Sequence, residues 1–138
     1  KVHPTVKYGV FVDPEFFIYQ HKCGIKLLQL AQEVFKTGRI VPKCGSENVL
    51  VYAITSRRAI FEKVIPFFDK YMRFSTNWQT FLRFKEIVTL IEEEKLHTTQ
   101  SGMIKLVKLA YQMNPDSKGK ERKRTEEEVI NIILRGHT

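Results

Sequence analysis

The chain has 138 residues, 43% of them hydrophobic and 28% charged, which excludes a disordered polypeptide and suffices for one domain with a real core. With 23 Lys and Arg against 15 acids the net charge is +8, which favours a polyanionic partner, nucleic acid before an anionic membrane surface. Cys23 and Cys44 alone do not make the framework of a staple-dependent secreted fold, and no run approaches the ~18 apolar residues of a membrane span.

Residues 6 to 20 read as one extended run, with Pro14 at a bulge or an edge. In "VFVDPEFFIYQH" the residues Val10, Val12, Phe16 and Ile18 fall on one face, and Phe11, Asp13, Glu15, Phe17 and Tyr19 on the other. From Gly24, Leu27, Leu28, Ala31, Val34 and Phe35 recur at helical spacing, with Gly38 as a stop signal. "RIVPK" and "NVLVYAI" read as two strands of a hairpin around "CGSE". Leu50, Tyr52 and Ile54 share one face there, and Val49, Val51 and Ala53 the other.

Beyond Ser56 the pattern is helical. "SRRAIFEKVIPFFDKY" is amphipathic and is ended or kinked by Pro66. Trp78, Phe81, Phe84, Val88 and Ile91 form an apolar stripe on a second helix, and "SGMIKLVKLAYQM" makes a third, halted by Asn114-Pro115. Thr125 and Glu128 have the spacing of a capping box at the start of the last helix. The expected fold class is therefore α+β, an antiparallel β-sheet backed by helices, with residues 1 to 138 as a single domain.

Two stretches carry chemistry. "DSKGKERKR" holds Lys118, Lys120, Arg122, Lys123 and Arg124 between two helices, where such side chains either meet phosphates or simply face solvent. An antiparallel sheet can also enter a DNA major groove and read base edges with alternate side chains. Asp13 and Glu15 would then accept from cytosine amino groups, Phe11 and Phe17 would meet thymine methyls, and Lys7, Lys43 and Asn48 would add phosphate or base contacts. The competing expectation is that both phenylalanines pack beneath another layer of protein. There is no GxSxG, HExxH or P-loop, and His3, His21, His97 and His137 are too scattered for a metal site.

In "VDPEF…QH", "EVFKTGRI", the hairpin "GS", "EKVIPFF", "FKEIV" and "LAYQMNPDSKGKERKR", taken in that order, the chain resembles LAGLIDADG homing endonucleases encoded in ribosomal-RNA introns of chloroplasts and bacteria. The resemblance spans residues 1 to 135. It implies a sheet saddle over the DNA major groove, double-strand cleavage with Mg²⁺ as cofactor, a homodimer on a nearly palindromic rRNA-gene site, no membrane partner, and a bacterial cytoplasmic or chloroplast location. By the same resemblance Gln20 lines the cleavage centre and places metal-bound water. Phe11, Asp13, Glu15, Phe17, Val41, Lys43, Val49 and Val51 face DNA, while Lys118, Lys120 and Lys123 lie in a phosphate-contacting loop.

Two departures accompany it. The helix that names the family, with its metal-holding acid and dimer contact, and the strand after it would precede Lys1, so the fold would lack its first helix and strand. Relatives also carry a lysine near the cleavage centre around "MRFSTNWQT". This chain has none between Lys70 and Lys85; Asn77 stands there and Arg73 is the nearest cation. These departures keep open a second function, a catalytically inactive DNA-binding relic or an RNA-binding intron maturase.

Overall fold

The computed structural model describes residues 1–113 and 122–136 and divides the chain into two compact units. One runs from Pro14 to Tyr71, and the other joins Lys1–Asp13 to the residues from Met72 onward. The fold class is α+β.

The first unit opens with β1 (Phe16–His21), followed by α1 (Ile25–Phe35), β2 (Arg39–Lys43) and β3 (Ser46–Ile54). The three strands form an antiparallel sheet in the order β1-β3-β2. β1 alternates half-buried and exposed residues along its whole length, the pattern of a strand with one covered face. That face is lined by Phe16, Ile18, Leu50, Tyr52, Ile54 and Ile40, which the register places opposite one another. α1 packs on it through Phe35, whose ring lies parallel to Tyr52 and edge-on to Phe16. Phe35 and Tyr52, both buried, each contribute about 1.5–3 kcal/mol. Leu28 and Phe35 are buried as their spacing predicts, whereas Leu27 and Val34, expected on the same stripe, are about half exposed. α1 ends at Lys36 in the left-handed region, φ 52°, with its N–H donating to the Gln32 carbonyl.

The stretch after Ser56 does not stop at Pro66. α2 (Arg57–Ala59) passes through a π-helical turn at Ile60–Val64 into α3 (Ile65–Tyr71). Proline has no N–H to give to the carbonyl four residues back. The turn before it widens, and the Ile65 N–H donates to the Ile60 carbonyl instead. Phe68 reaches the Phe16 ring, which brings α3 to the covered face of the sheet.

In the second unit α4 (Trp78–Glu92), α5 (Gln100–Met113) and α6 (Glu126–Arg135) enclose a core of Ile87, Leu90, Ile91, Met103, Leu106, Val107, Val129 and Ile133. Val10 belongs to this core, and Val12 packs against it. The expected strand over residues 6 to 20 is thus corrected. Lys1 and Phe11 exchange backbone hydrogen bonds of 2.9 Å, and the His3 N–H donates to the carbonyl of Gly9, whose φ of +68° favours a residue without Cβ. Residues 1–11 are therefore a small hairpin of their own. The alternation on either side of Pro14 is continuous in sequence, but its two halves serve two different cores. At the last helix the capping box forms as its spacing predicts, Thr125 and Glu128 each accepting from the other's backbone N–H.

Candidate nucleic-acid interface

The face of the sheet opposite α1 and α3 is built from rows that cross all three strands. Phe17, Ala53 and Arg39 form one row, and Tyr19, Val51 and Val41 the next. His21 pairs with Val49 at the end, where the β2 partner jumps from Leu50 to Ser46 between Pro42 and Lys43. Residues 47–49 therefore bulge at the hairpin tip, a common device for aiming side chains at a site. Lys43 is carried onto this face, its Nζ standing 5.5 Å from the Tyr19 ring centroid.

Two aromatic rings on this face are open to solvent, Phe17 at 39% and Tyr19 at 54%, and they lie 6.1 Å apart. Val51 and Ala53 are enclosed between neighbours in their rows. Basic side chains sit at the corners, Arg39 at one end and Lys43 at the other with the His21 imidazole beside it, all exposed. His21 Nδ1 accepts the Cys23 N–H at 3.3 Å and lies 3.0 Å from the Cys23 thiol. An acceptor role there places the ring proton on Nε2. The arrangement offers flat apolar contact at its centre and hydrogen-bond donors at its ends.

The structure brings together Phe17, Val41, Lys43, Val49 and Val51 of the residues expected to face DNA. Glu15 is half-buried just before β1, and Asn48 is exposed in the bulge. Lys7, Phe11 and Asp13 are not on the sheet. Lys7 caps the Tyr8 ring at 5.0 Å, and Asp13 meets the Lys1 ammonium at 3.6 Å, both within the helical unit. The physical reason is the hairpin of residues 1–11, which spends their backbone pairing on one another.

Tyr19, His21 and Arg39 were missing from the sequence-derived set. Tyr19 and His21 continue the period of two from Phe17, so that signal was present; the position of Arg39 opposite Ala53 exists only through the register.

Gln20 has the parity of Phe16 and Ile18 rather than of the open face. Its side chain lies across Gly24, so closely that a Cβ there would come within 2.5 Å of the Gln20 amide nitrogen. Glycine at 24 is what allows the amide to take this position, at the end of β1 and the start of α1.

The helical unit carries the second basic feature. Arg122 stacks on Tyr111 at 4.5 Å and donates to its carbonyl, and the Tyr111 hydroxyl donates to the Arg124 carbonyl at 2.8 Å. These bonds hold the backbone that leads into α6, and leave Lys123 and Arg124 exposed beside Asn131 and Arg135, with Glu128 the acid in the same shallow groove. Lys118 and Lys120 lie outside the described residues.

A sequence profile described as LAGLIDADG endonuclease matches residues 1–88, more than half of the chain. The chain belongs to this family. Among curated proteins, the DNA endonuclease I-CeuI of Chlamydomonas moewusii is 54% identical over 68 residues, a match covering 49% of this chain and 31% of that protein. The homing endonuclease I-ApeII of Aeropyrum pernix is 29% identical over 134 residues, 96% of this chain and 78% of that one. Among solved structures, the archaeal intron-encoded homing endonuclease I-Vdi141I complexed with DNA superposes with a TM-score of 0.86 at 33% identity, covering 98% of this chain and 83% of that one. The group I intron-encoded I-CeuI complexed with DNA gives 0.87 at 34%, covering 96% and 66%.

For a LAGLIDADG endonuclease the implied cofactor is Mg²⁺. Among the described residues no group of three or more His, Cys, Asp or Glu side chains could hold a metal ion. No residue is assigned to Mg²⁺ on this basis. Among them, too, no helix is long and apolar enough to cross a membrane.

Proposed function

We propose that this chain is the DNA-engaging body of a site-specific homing endonuclease that makes a double-strand break in an intronless ribosomal-RNA gene, two copies acting on a nearly palindromic site. The observation that carries the proposal is the open sheet face, whose aromatic, apolar and cationic residues stand in cross-strand rows suited to a major groove. Family membership and two similar proteins in complex with DNA support the same reading. Phe17, Val41, Lys43, Val49 and Val51 are the groove-facing residues of this proposal. Lys123, with Lys118 and Lys120, supplies phosphate contacts that set affinity and salt dependence. Gln20, whose amide lies over Gly24, is the residue to which this proposal gives the role of orienting a polar group at the cleavage centre. Residues 1 to 138 act in it as one DNA-binding domain.

The test is direct. The purified chain is incubated with a labelled intronless large-subunit rRNA gene fragment and with unrelated duplexes, and a gel shift specific to one site in the gene is expected, with Mg²⁺ then added to score cutting at that site. Retardation of every duplex alike, or cutting away from the bound site, would refute the endonuclease reading. Binding to structured intron RNA in preference to duplex DNA would point to the maturase-like alternative.

A further inference from the structure

The open face has a polarity that bears on which bases it meets, given that it enters a major groove as proposed above. We infer that the sheet reads a short thymine-rich block bounded by guanine, with Arg39 as the guanine-specifying residue. Arg39 stands at the edge of the row Phe17–Ala53–Arg39, on an outer strand, exposed and two residues before Val41 on the same face. A guanidinium there can give two parallel N–H donors to guanine O6 and N7, the commonest base-specific contact a protein side chain makes.

The next row, Tyr19, Val51 and Val41, holds no charged side chain. With Val51 enclosed, the accessible Tyr19 ring and Val41 methyl groups suit the C5-methyl of thymine, and they offer cytosine no carboxylate or amide acceptor. Of the two acids expected to read cytosine, Asp13 is not on the sheet, and Glu15, half-buried before β1, lies on the far side of the Arg39 row from Tyr19, outside this block.

The far end returns to donors, Lys43 and His21. From Arg39 to Lys43 is four residues, roughly 13 Å at the ~3.3 Å rise of a strand, or about four base steps at 3.4 Å each. The face therefore matches a block of about three A·T pairs with a guanine beneath Arg39 and a second donor-read position beyond. Since C5-methyl groups distinguish thymine from uracil, the same chemistry makes the sheet a reader of DNA rather than RNA.

The experiment uses the purified chain and a pool of duplexes with a randomised window, followed by sequencing of the retained DNA. Enrichment of guanine next to a thymine-rich block is expected. Arg39→Gln should turn the guanine preference into adenine at that one position, because a glutamine amide matches adenine N6 and N7. Loss of the original discrimination should be roughly 5- to 150-fold. Replacing thymine by uracil within a selected duplex should weaken binding by ~4-fold per methyl removed; this change is made in the DNA, so it tests the inference even if the variant misfolds. An unaltered guanine preference in Arg39→Gln protein of normal circular dichroism, or equal affinity for the uracil duplex, would overturn the inference. Salt-sensitive retention with no enriched sequence would also overturn it while leaving DNA binding in place. No retention at any salt would instead refute the DNA-binding function itself.

Discussion

Tyr52→Phe removes one oxygen from beneath the sheet and leaves the ring where it is. Tyr52 is fully buried, its ring parallel to Phe35, and its hydroxyl donates to the Thr37 carbonyl at 2.7 Å. That bond ties the middle strand to the turn that delivers Arg39. Its net worth is about 1 kcal/mol, rising toward ~3 kcal/mol if the Thr37 carbonyl finds no other donor. Burial also pushes the Tyr52 hydroxyl above its ordinary pKa of 10.0.

The sign of the pH effect follows from which state ionises first. Above pH 10 the unfolded chain loses this proton while the folded chain keeps it, so stability falls by about 1.4 kcal/mol per pH unit until the raised folded value is passed. The Phe variant has no such slope, and the remaining tyrosines are common to both proteins. Urea unfolding followed by far-UV circular dichroism should show the variant less stable by about 1 kcal/mol at pH 7, with an unchanged denaturant slope. The difference should narrow as pH rises beyond 10. A deficit that stays constant to alkaline pH, or no deficit at pH 7, would refute the account of Tyr52 as a buried donor.

Gly24→Ala places a Cβ against the Gln20 amide and should depress cleavage while leaving duplex affinity within about twofold, since neither residue is on the open face. Single-turnover cleavage set beside a binding isotherm would separate the two effects. Lys123→Ala should weaken binding to all sequences alike and reduce the slope of log affinity against log salt by about 0.9, the value of one phosphate contact, as measured by a fluorescence anisotropy salt series. Thr125→Ala breaks the capping box of α6 and should lower unfolding free energy by about 1 kcal/mol, with thermal unfolding by circular dichroism as the measure.

Much of this protein was determined by the sequence alone. The two faces of Phe16–His21 and of Val49–Ile54 follow from a period of two, and α1, α4 and α5 from a period near 3.6. The start of α6 follows from one pair, Thr125 and Glu128, because capping is a bargain between residues three apart. Ordered blocks along the chain identified the family without any coordinate.

Only the tertiary structure decided which core each half of an alternating run would serve. Val10 and Phe16 obey one alternation, yet Val10 joins the helices and Phe16 the sheet. Alternation records that a side is apolar, not what covers it. For the same reason Arg39 joined Ala53 and Phe17 only through strand register, a long-range pairing that local pattern does not encode. The approach of Gln20 to Gly24 depends likewise on how the chain leaves β1 and enters α1. What sequence determines here is the chemistry of each face; which chemistries meet is set by packing, since burial is shared among residues far apart in the chain.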